Sequence, residues 1–423
     1  MALDRRRLRL VTHTLAQASG FRHGIVSPWQ EVPPTGADLP GLHNVFVPSG
    51  PTSEEHAVAG GFGRTLADAS CAAIAEALER YAAHMARFEV RRGRDIEGPI
   101  LDARDFSLFS DEQRAQSGFP YPYAHREEAR YAEVFAIDDN RSQWVPEELV
   151  GLGSREEQPL LPSTSTGLAA AADPMSALLS AVEELLERDA LTVSWLASLG
   201  GREIDIPAER RAPVIERGGE IRAFDLTQSW NPHPVVVVMG QLPLRGTKRY
   251  SMGAACRFNH EMALEKAWLE WVQGVVFAGH YARENPRLRF ERPTDIRTFP
   301  EHGVYHTLFP DRWHHIPLLA WSRPFQPPRP VPEALPHASD RLDRLRRSLG
   351  EAGIRLFYRE LTLPDVRDVG LFVVRALSPD LALLHGDERF PFLGGRTRDV
   401  AWRYPDVDPA EVRFVNPHPH PLG

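Results

Sequence analysis

The chain has only two cysteines, Cys71 and Cys256, in 423 residues. That excludes a disulfide framework and a cysteine-based zinc site, and it makes a reducing cytoplasm the expected setting. Both thiols stand in apolar contexts and read as small core residues, with nothing local to support a catalytic thiol. No apolar run approaches the ~18–20 residues that span a bilayer; the densest, Val235 to Met239, reads as a buried strand. The N-terminus carries Arg5, Arg6 and Arg7 but no apolar signal segment. No strong positive charge is present: 49 basic against 57 acidic side chains leave a net charge of −8, which argues against a nucleic-acid footprint. A Gly-Lys-Ser/Thr phosphate loop is also missing, so Gly61-Phe62-Gly63 is not a Walker loop.

Proline is the one excess, with 37 residues. Residues 1–60 read as an irregular segment of short strands and loops packed on a core. Residues 61–415 read as one α/β (α+β) domain, and 416–423 as a Pro-rich tail. Helices are expected over about 66–88, 174–199, 260–283 and 339–350, where apolar residues recur at helical spacing. Strands are expected at 132–137, 221–226, 235–239, 354–361 and 371–377. Eleven prolines between Pro286 and Pro336 predict a surface excursion or lid-like loop outside the core.

Two segments repeat. A Gly-containing turn, Gly60 to Gly63, precedes a helix with Glu76-Ala77-Leu78-Glu79-Arg80; the turn Ser163 to Gly167 precedes one with Glu184-Leu185-Leu186-Glu187-Arg188. Residues three apart share a helix face, so each pair directs two carboxylates toward one point. Glu76 lies in apolar surroundings, where adjacent carboxylates repel unless a cation binds them. A solvated charged face would explain either pair alone; two copies in matching contexts weigh equally toward a site. Four such carboxylates suit Mg2+, and an adjacent arginine suits a phosphate oxygen. The residues therefore point to a nucleotide–magnesium site between two similar helices. His314, His315, His418 and His420 lack carboxylate or cysteine partners nearby and read as surface or loop histidines.

These motifs, in this order, resemble those of the YcaO family over about residues 50–423. Gly61-Phe62-Gly63 with Ala75 to Tyr81 is similar to the first family motif, Ser165 to Ala169 with Glu184 to Ala190 to the second, and Ala263 to Ala267 with Glu270 and Gln273 to the third. The tail, with Pro417, Pro419 and Pro421, resembles that of azoline-forming members. The resemblance implies a YcaO-like fold of repeated strand–helix units around an ATP/Mg2+ site. It also implies a cytoplasmic ATP-dependent cyclodehydratase (D-protein type) in the biosynthesis of ribosomal, thiazole/oxazole-modified peptide natural products. There a Cys, Ser or Thr side chain of a precursor peptide adds to the preceding amide, the oxyanion is phosphorylated, and phosphate leaves to give an azoline. External sulfide would give a thioamide and an amine an amidine; a non-catalytic accessory protein with this fold is the alternative from another class.

By the same resemblance Glu76, Glu79, Glu184 and Glu187 hold magnesium and nucleotide. Arg80 and Arg188 touch phosphate, Ser165 and Thr166 stand beside it, and Glu270 and Gln273 close the site. The Gly423 carboxylate is implied as a base at the end of the proline tail. Implied partners are the precursor peptide, a separate leader-peptide-binding protein resembling a ubiquitin-activating enzyme, a flavin-dependent azoline dehydrogenase, and a second copy in a homodimer; neither nucleic acid nor membrane is expected. The sequence departs from the family at Phe62, Ala72, Thr166 and Val275, so a phosphate contact must come from elsewhere, with Arg64, Arg257, Arg396 and Arg398 as the sources considered.

Overall fold

A computed structural model describes residues 14–32, 39, 41–48, 59–153, 159–244, 246–323 and 334–423. The expectations for residues 1–13, 33–38, 49–58 and 324–333 lie outside the described residues. Along the chain, β1 (Gln30–Glu31), β2 (His43–Val47) and β3 (Ala59–Gly63) lead into helix α1 (Leu66–Met85). Strands β4 (Val90–Arg92), β5 (Arg130–Ala136), β6 (Ser142–Pro146) and β7 (Leu168–Ala171) lead into α2 (Pro174–Leu196). Then β8 (Arg202–Ile204), β9 (Glu220–Asp225), β10 (Val235–Leu244) and β11 (Thr247–Cys256) lead into α3 (His260–Glu284). Two further helices, α4 (Phe299–Leu308) and α5 (Ala338–Glu351), precede β12 (Phe357–Glu360) and β13 (Phe372–Leu377).

The strands form three antiparallel sheets, ordered β1-β2-β3, β11-β10-β9-β8 and β4-β5-β12-β13-β7, with β6 also on β5. Each sheet feeds one long helix through an edge strand: β3 into α1, β7 into α2 and β11 into α3. The three helix starts share one device. Thr65, Asp173 and Asn259 each accept the backbone N–H of the residue three further on, which satisfies an otherwise open helix donor. Strand and helix then lie in close contact. A Cβ on Gly61 would meet the Ala69 carbonyl oxygen at 2.0 Å, and one on Gly253 the Ala267 oxygen at 2.1 Å. Only glycine permits that approach. In α2 nearly every side chain is buried, because the third sheet covers one face while α5 and the C-terminal segment cover others.

Several expectations need correction. Helices α1 and α2 end three residues early, at Met85 and Leu196. Strand β11 was not foreseen; it completes a hairpin with β10 in continuous register from Val235–Cys256 to Leu244–Thr247. The Pro-rich stretch is not excluded from the core. Helix α4 lies within it, and His302, Val304, Tyr305 and His306 are buried. Pro300 falls in the first turn of α4, after the cap Thr298, where a missing N–H costs nothing. His420 is fully buried rather than a surface histidine, and Cys71 is half-buried while Cys256 is in the core.

Candidate functional site

The three strand–helix units place acids at matched positions. Eleven residues past each cap stands a glutamate: Glu76, Glu184 and Glu270. Fourteen past it stand Glu79, Glu187 and Gln273. The first of each set reaches back to its own strand or the turn before it. Gly60 N donates to Glu76 Oε2 at 2.9 Å, Ala254 N lies 3.4 Å from Glu270 Oε2, and Gly167 gives a backbone N–H to Glu184. The repeat in the residues showed two such units and the resemblance added Glu270 and Gln273; the structure puts these two on a third unit of the same spacing, in which glutamine replaces the second acid. Its amide lies against β3, where a Cβ on Gly60 would meet Gln273 Nε2 at 2.4 Å.

Each unit supplies its own cation. Arg80 pairs with Glu76 at 2.5 Å, and Arg188 lies 3.3 Å from Glu184 and 3.4 Å from Glu187. The third unit has Gly274 at the arginine position, and Lys266, one turn earlier, pairs with Glu270 at 3.0 Å.

Attraction does not balance repulsion at every acid. Burial, then Glu184 and Glu76, push the Glu79 carboxyl up to about 8, with Arg80 opposing. Burial, then Glu270 and Glu184, push Glu187 up to about 8 against Arg188 and Arg257. Glu184 is also raised, chiefly by burial. Burial works against a charge on Glu270 too, yet Lys266, Arg188 and Arg257 together hold it below the usual carboxylate range. Glu187 Oε1 is buried and accepts no hydrogen bond. A buried acid left in that state costs stability, and such a cost is common where a ligand is to be met.

The structure also supplies a residue the sequence reading missed. Arg375, buried in β13, donates to the carbonyls of Thr166 at 2.7 Å, Thr164 at 2.8 Å and Val150 at 3.2 Å. It thereby fixes the turn before β7 that carries Ser165 and Thr166. Burial draws its pKa down to about 10, while Glu184 and Glu79 hold it up. One arginine in the otherwise apolar run Leu371 to Leu377 was the available signal. Thr166 is buried with its carbonyl on Arg375, and Ser165 is half-buried.

The tail folds back onto the core. Trp195 Nε1 donates to His418 O at 2.7 Å, while the rings of His306 and His302 reach the carbonyls of Pro419 and His420 at 3.2 and 2.9 Å. The His420 ring stacks on His302 at 3.8 Å and reaches His385 O at 2.9 Å. Pro419 and Pro421 are buried and Pro417 is exposed; Gly423 ends against Gly303 of α4. His420 also feels the charge of Arg188, so the tail passes close to the second acidic unit.

Among the described residues, no three acids, histidines or cysteines converge on one point that could hold a metal ion by themselves. The donor set nevertheless fits magnesium carried by a polyphosphate. Mg2+ takes one or two carboxylates and fills its other positions with water and phosphate oxygens. The three units offer hard oxygen donors that are mostly partly exposed, one of which accepts no hydrogen bond, with two arginines beside them.

A family model described as YcaO cyclodehydratase, ATP- and Mg2+-binding, matches residues 60–382, well over half of the chain. The chain belongs to the YcaO family. Solved structures share the fold at low identity. A heterocyclase in complex with substrate and cofactor aligns with a TM-score of 0.75 at 17% identity, over 97% of this chain and 57% of its own. YcaO from Methanopyrus kandleri, bound with AMPPCP and Mg2+, aligns at 0.63 and 18%, over 89% and 90%. The E. coli microcin synthetase McbBCD complex aligns at 0.62 and 15%, over 86% and 90%. This chain thus spans little more than half the length of the heterocyclase. No curated protein matches the chain. Among the described residues, no helix is long and apolar enough to cross a membrane.

Proposed function

We propose that this protein is an ATP- and Mg2+-dependent cyclodehydratase that converts Cys, Ser or Thr residues of a ribosomal precursor peptide into thiazolines or oxazolines. The observation that carries the reading is the acidic cluster itself: matched carboxylates from three strand–helix units, with Glu187 buried among them and one of its oxygens accepting no hydrogen bond. Glu76, Glu79, Glu184 and Glu187 are the carboxylates that hold magnesium, and Arg80 and Arg188 bind phosphate oxygens. Ser165 and Thr166 border the phosphates on the turn that Arg375 fixes. Glu270 and Gln273 close the third side. Bound ATP supplies the phosphoryl group that turns an amide oxygen into a leaving group. The chain's residues then have to position the phosphates and neutralise their charge, which is most of what phosphoryl transfer requires of a protein.

The clasped tail supports the azoline reading over thioamide or amidine formation. Its buried prolines run beside α4, with Gly423 against Gly303. The peptide is delivered by a separate leader-binding protein, and a flavin-dependent dehydrogenase oxidises the azolines to azoles. The E. coli microcin synthetase is likewise a complex, one of whose structures contains pro-MccB17. The protein works in the cytoplasm as a homodimer. The test is mass spectrometry of a Cys/Ser/Thr-rich precursor peptide encoded beside this gene, incubated with the chain, its partner, ATP and Mg2+. Loss of one water per modified residue is the expected result. Exchange of oxygen for sulfur would move the assignment to thioamidation, and ATP-independent or absent modification would overturn it.

A further inference from the structure

Most cations at the acidic cluster turn back on their own helix. Arg80 is held by Glu76, Arg188 by Glu184 and Glu187, and Lys266 by Glu270. The chain has only two lysines, Lys248 and Lys266, so further basic contacts to a ligand fall to arginine. Among the four arginines considered from the sequence, three are engaged elsewhere. Arg64 pairs with Glu265 at 2.9 Å. Arg396 lies over the Trp402 ring at 4.5 Å and Arg398 over Phe414 at 4.0 Å.

Arg257 is mounted differently. It follows β11 and precedes the α3 cap by two residues, and the third unit brings it within the electrostatic reach of Glu187 and Glu270. Its Nη1 donates to Cys256 O at 2.6 Å and lies 3.4 Å from Glu183 Oε2. The other oxygen of Glu183 is held by His233 Nδ1 at 2.9 Å, and His233 is fully buried. A buried carboxylate is costly unless paired, and here both oxygens are engaged, one by a fixed ring and one by the guanidinium. The anchor therefore ties α2, the turn before β10 and the end of β11 to one edge of Arg257. The other edge is free: among the described residues Nε and Nη2 have no hydrogen-bond partner, and the side chain is 25% exposed. Glu187 and Glu270 both share the electrostatic field of this guanidinium. A planar fork fixed on one side and open on the other, beside acids suited to magnesium, is the geometry for gripping a phosphate group.

We propose that Arg257 contacts the phosphate chain of the nucleotide through its Nε and Nη2 edge, and that Glu183 and His233 are the positioning pair that fixes it. The inference rests on the acidic cluster being the nucleotide site. It assigns to a residue at the start of the third unit the contact that Val275 cannot make.

Binding of mant-ATP and mant-AMP, each with Mg2+, to the full chain tests it by fluorescence titration. Arg257→Ala is expected to weaken mant-ATP tenfold or more and mant-AMP much less, and to lower the melting temperature because one oxygen of Glu183 loses its partner. Arg257→Lys, which keeps the charge but loses the fork, is expected to fall between. Arg398→Ala is expected to bind as the wild type. Equal losses for both nucleotides would mark Arg257 as structural only and overturn the proposal, as would mant-ATP binding within twofold of wild type. Should Arg257→Ala fail to fold, Arg257→Lys decides by the same ratio. If the wild-type chain itself binds no mant-ATP, the nucleotide reading of the cluster fails first, a result distinct from failure of Arg257 alone.

Discussion

Glu187 and Asp189 are two residues apart on α2, both buried, and they have opposite fates. Each oxygen of Asp189 has two partners: Oδ1 accepts from Arg403 Nη2 at 2.6 Å and Ala382 N at 2.7 Å, and Oδ2 from Arg403 Nε at 2.8 Å and Gln228 Nε2 at 3.0 Å. Glu187 has a distant arginine at 3.4 Å, one oxygen without a hydrogen bond, and a carboxyl pushed up to about 8. The same helix thus shows an acid whose burial is solved by the fold and one whose burial is left open. The first ties α2 to the C-terminal segment. The second is the kind of unpaid cost that a cation-bearing ligand removes.

Mutation should separate the two directly. Asp189→Ala strands Arg403 in the core and is expected to cost ~3–5 kcal/mol, read by chemical denaturation. Glu187→Gln, by contrast, replaces a carboxyl that burial already keeps largely protonated at neutral pH, so the ligand-free protein should be at least as stable as the wild type while peptide modification is abolished. Equal destabilisation by both changes would erase the distinction.

The strand–helix contact is the next most sensitive place. Gly61→Ala drives a Cβ into the Ala69 carbonyl and should cost about 1–3 kcal/mol, lowering the melting temperature and disturbing the Glu76 position through Gly60. A neutral result would mean that β3 can slide on α1.

Acidity provides a gentler probe. Glu79 and Glu187 carry folded values of about 8 against 4.5 for an ordinary glutamate, so the folded state keeps protons that the unfolded chain releases. Their contribution to stability is fully present below about pH 4.5 and is lost as pH rises toward 8. The melting temperature of the ligand-free protein should fall by several degrees over the upper half of that range, and Glu187→Gln should flatten the curve. His302 and His306 run the other way. Burial lowers both to about 4 from 6.5, so their contribution is present above pH 6.5 and is lost as pH falls toward 4. The tail they clasp should therefore be trimmed faster by carboxypeptidase at pH 5 than at pH 7. His302→Phe should produce fast trimming at both, followed by intact mass.

Much of this was legible in the sequence for a physical reason. Helices α1, α2 and α3 announce themselves by cap, apolar period and length, and the two Glu-x-x-Glu-Arg copies stand at fixed distances from their caps. The third unit was recognised by resemblance, at Glu270 and Gln273, and not as a repeat of the first two, because Gln273 and Gly274 replace the second acid and the arginine. Arg375, the Glu183–His233–Arg257 anchor and the histidine clasp were hidden for another reason. Each joins residues dozens to hundreds of positions apart, and no local periodicity records such a contact. The Pro-rich stretch misled because prolines at first turns, such as Pro300, start helices rather than break them.

The central claim is that the acids of three units await a magnesium-bound polyphosphate. Isothermal titration of the intact protein with Mg2+ and a non-hydrolysable ATP analogue at pH 7, repeated in buffers of different ionisation enthalpy, tests it most directly. The account predicts binding that releases protons, because Glu79 and Glu187 must ionise to meet the cation, with that release reduced in Glu187→Gln along with affinity. Binding without proton release, at an affinity that Glu187→Gln leaves unchanged, would contradict it.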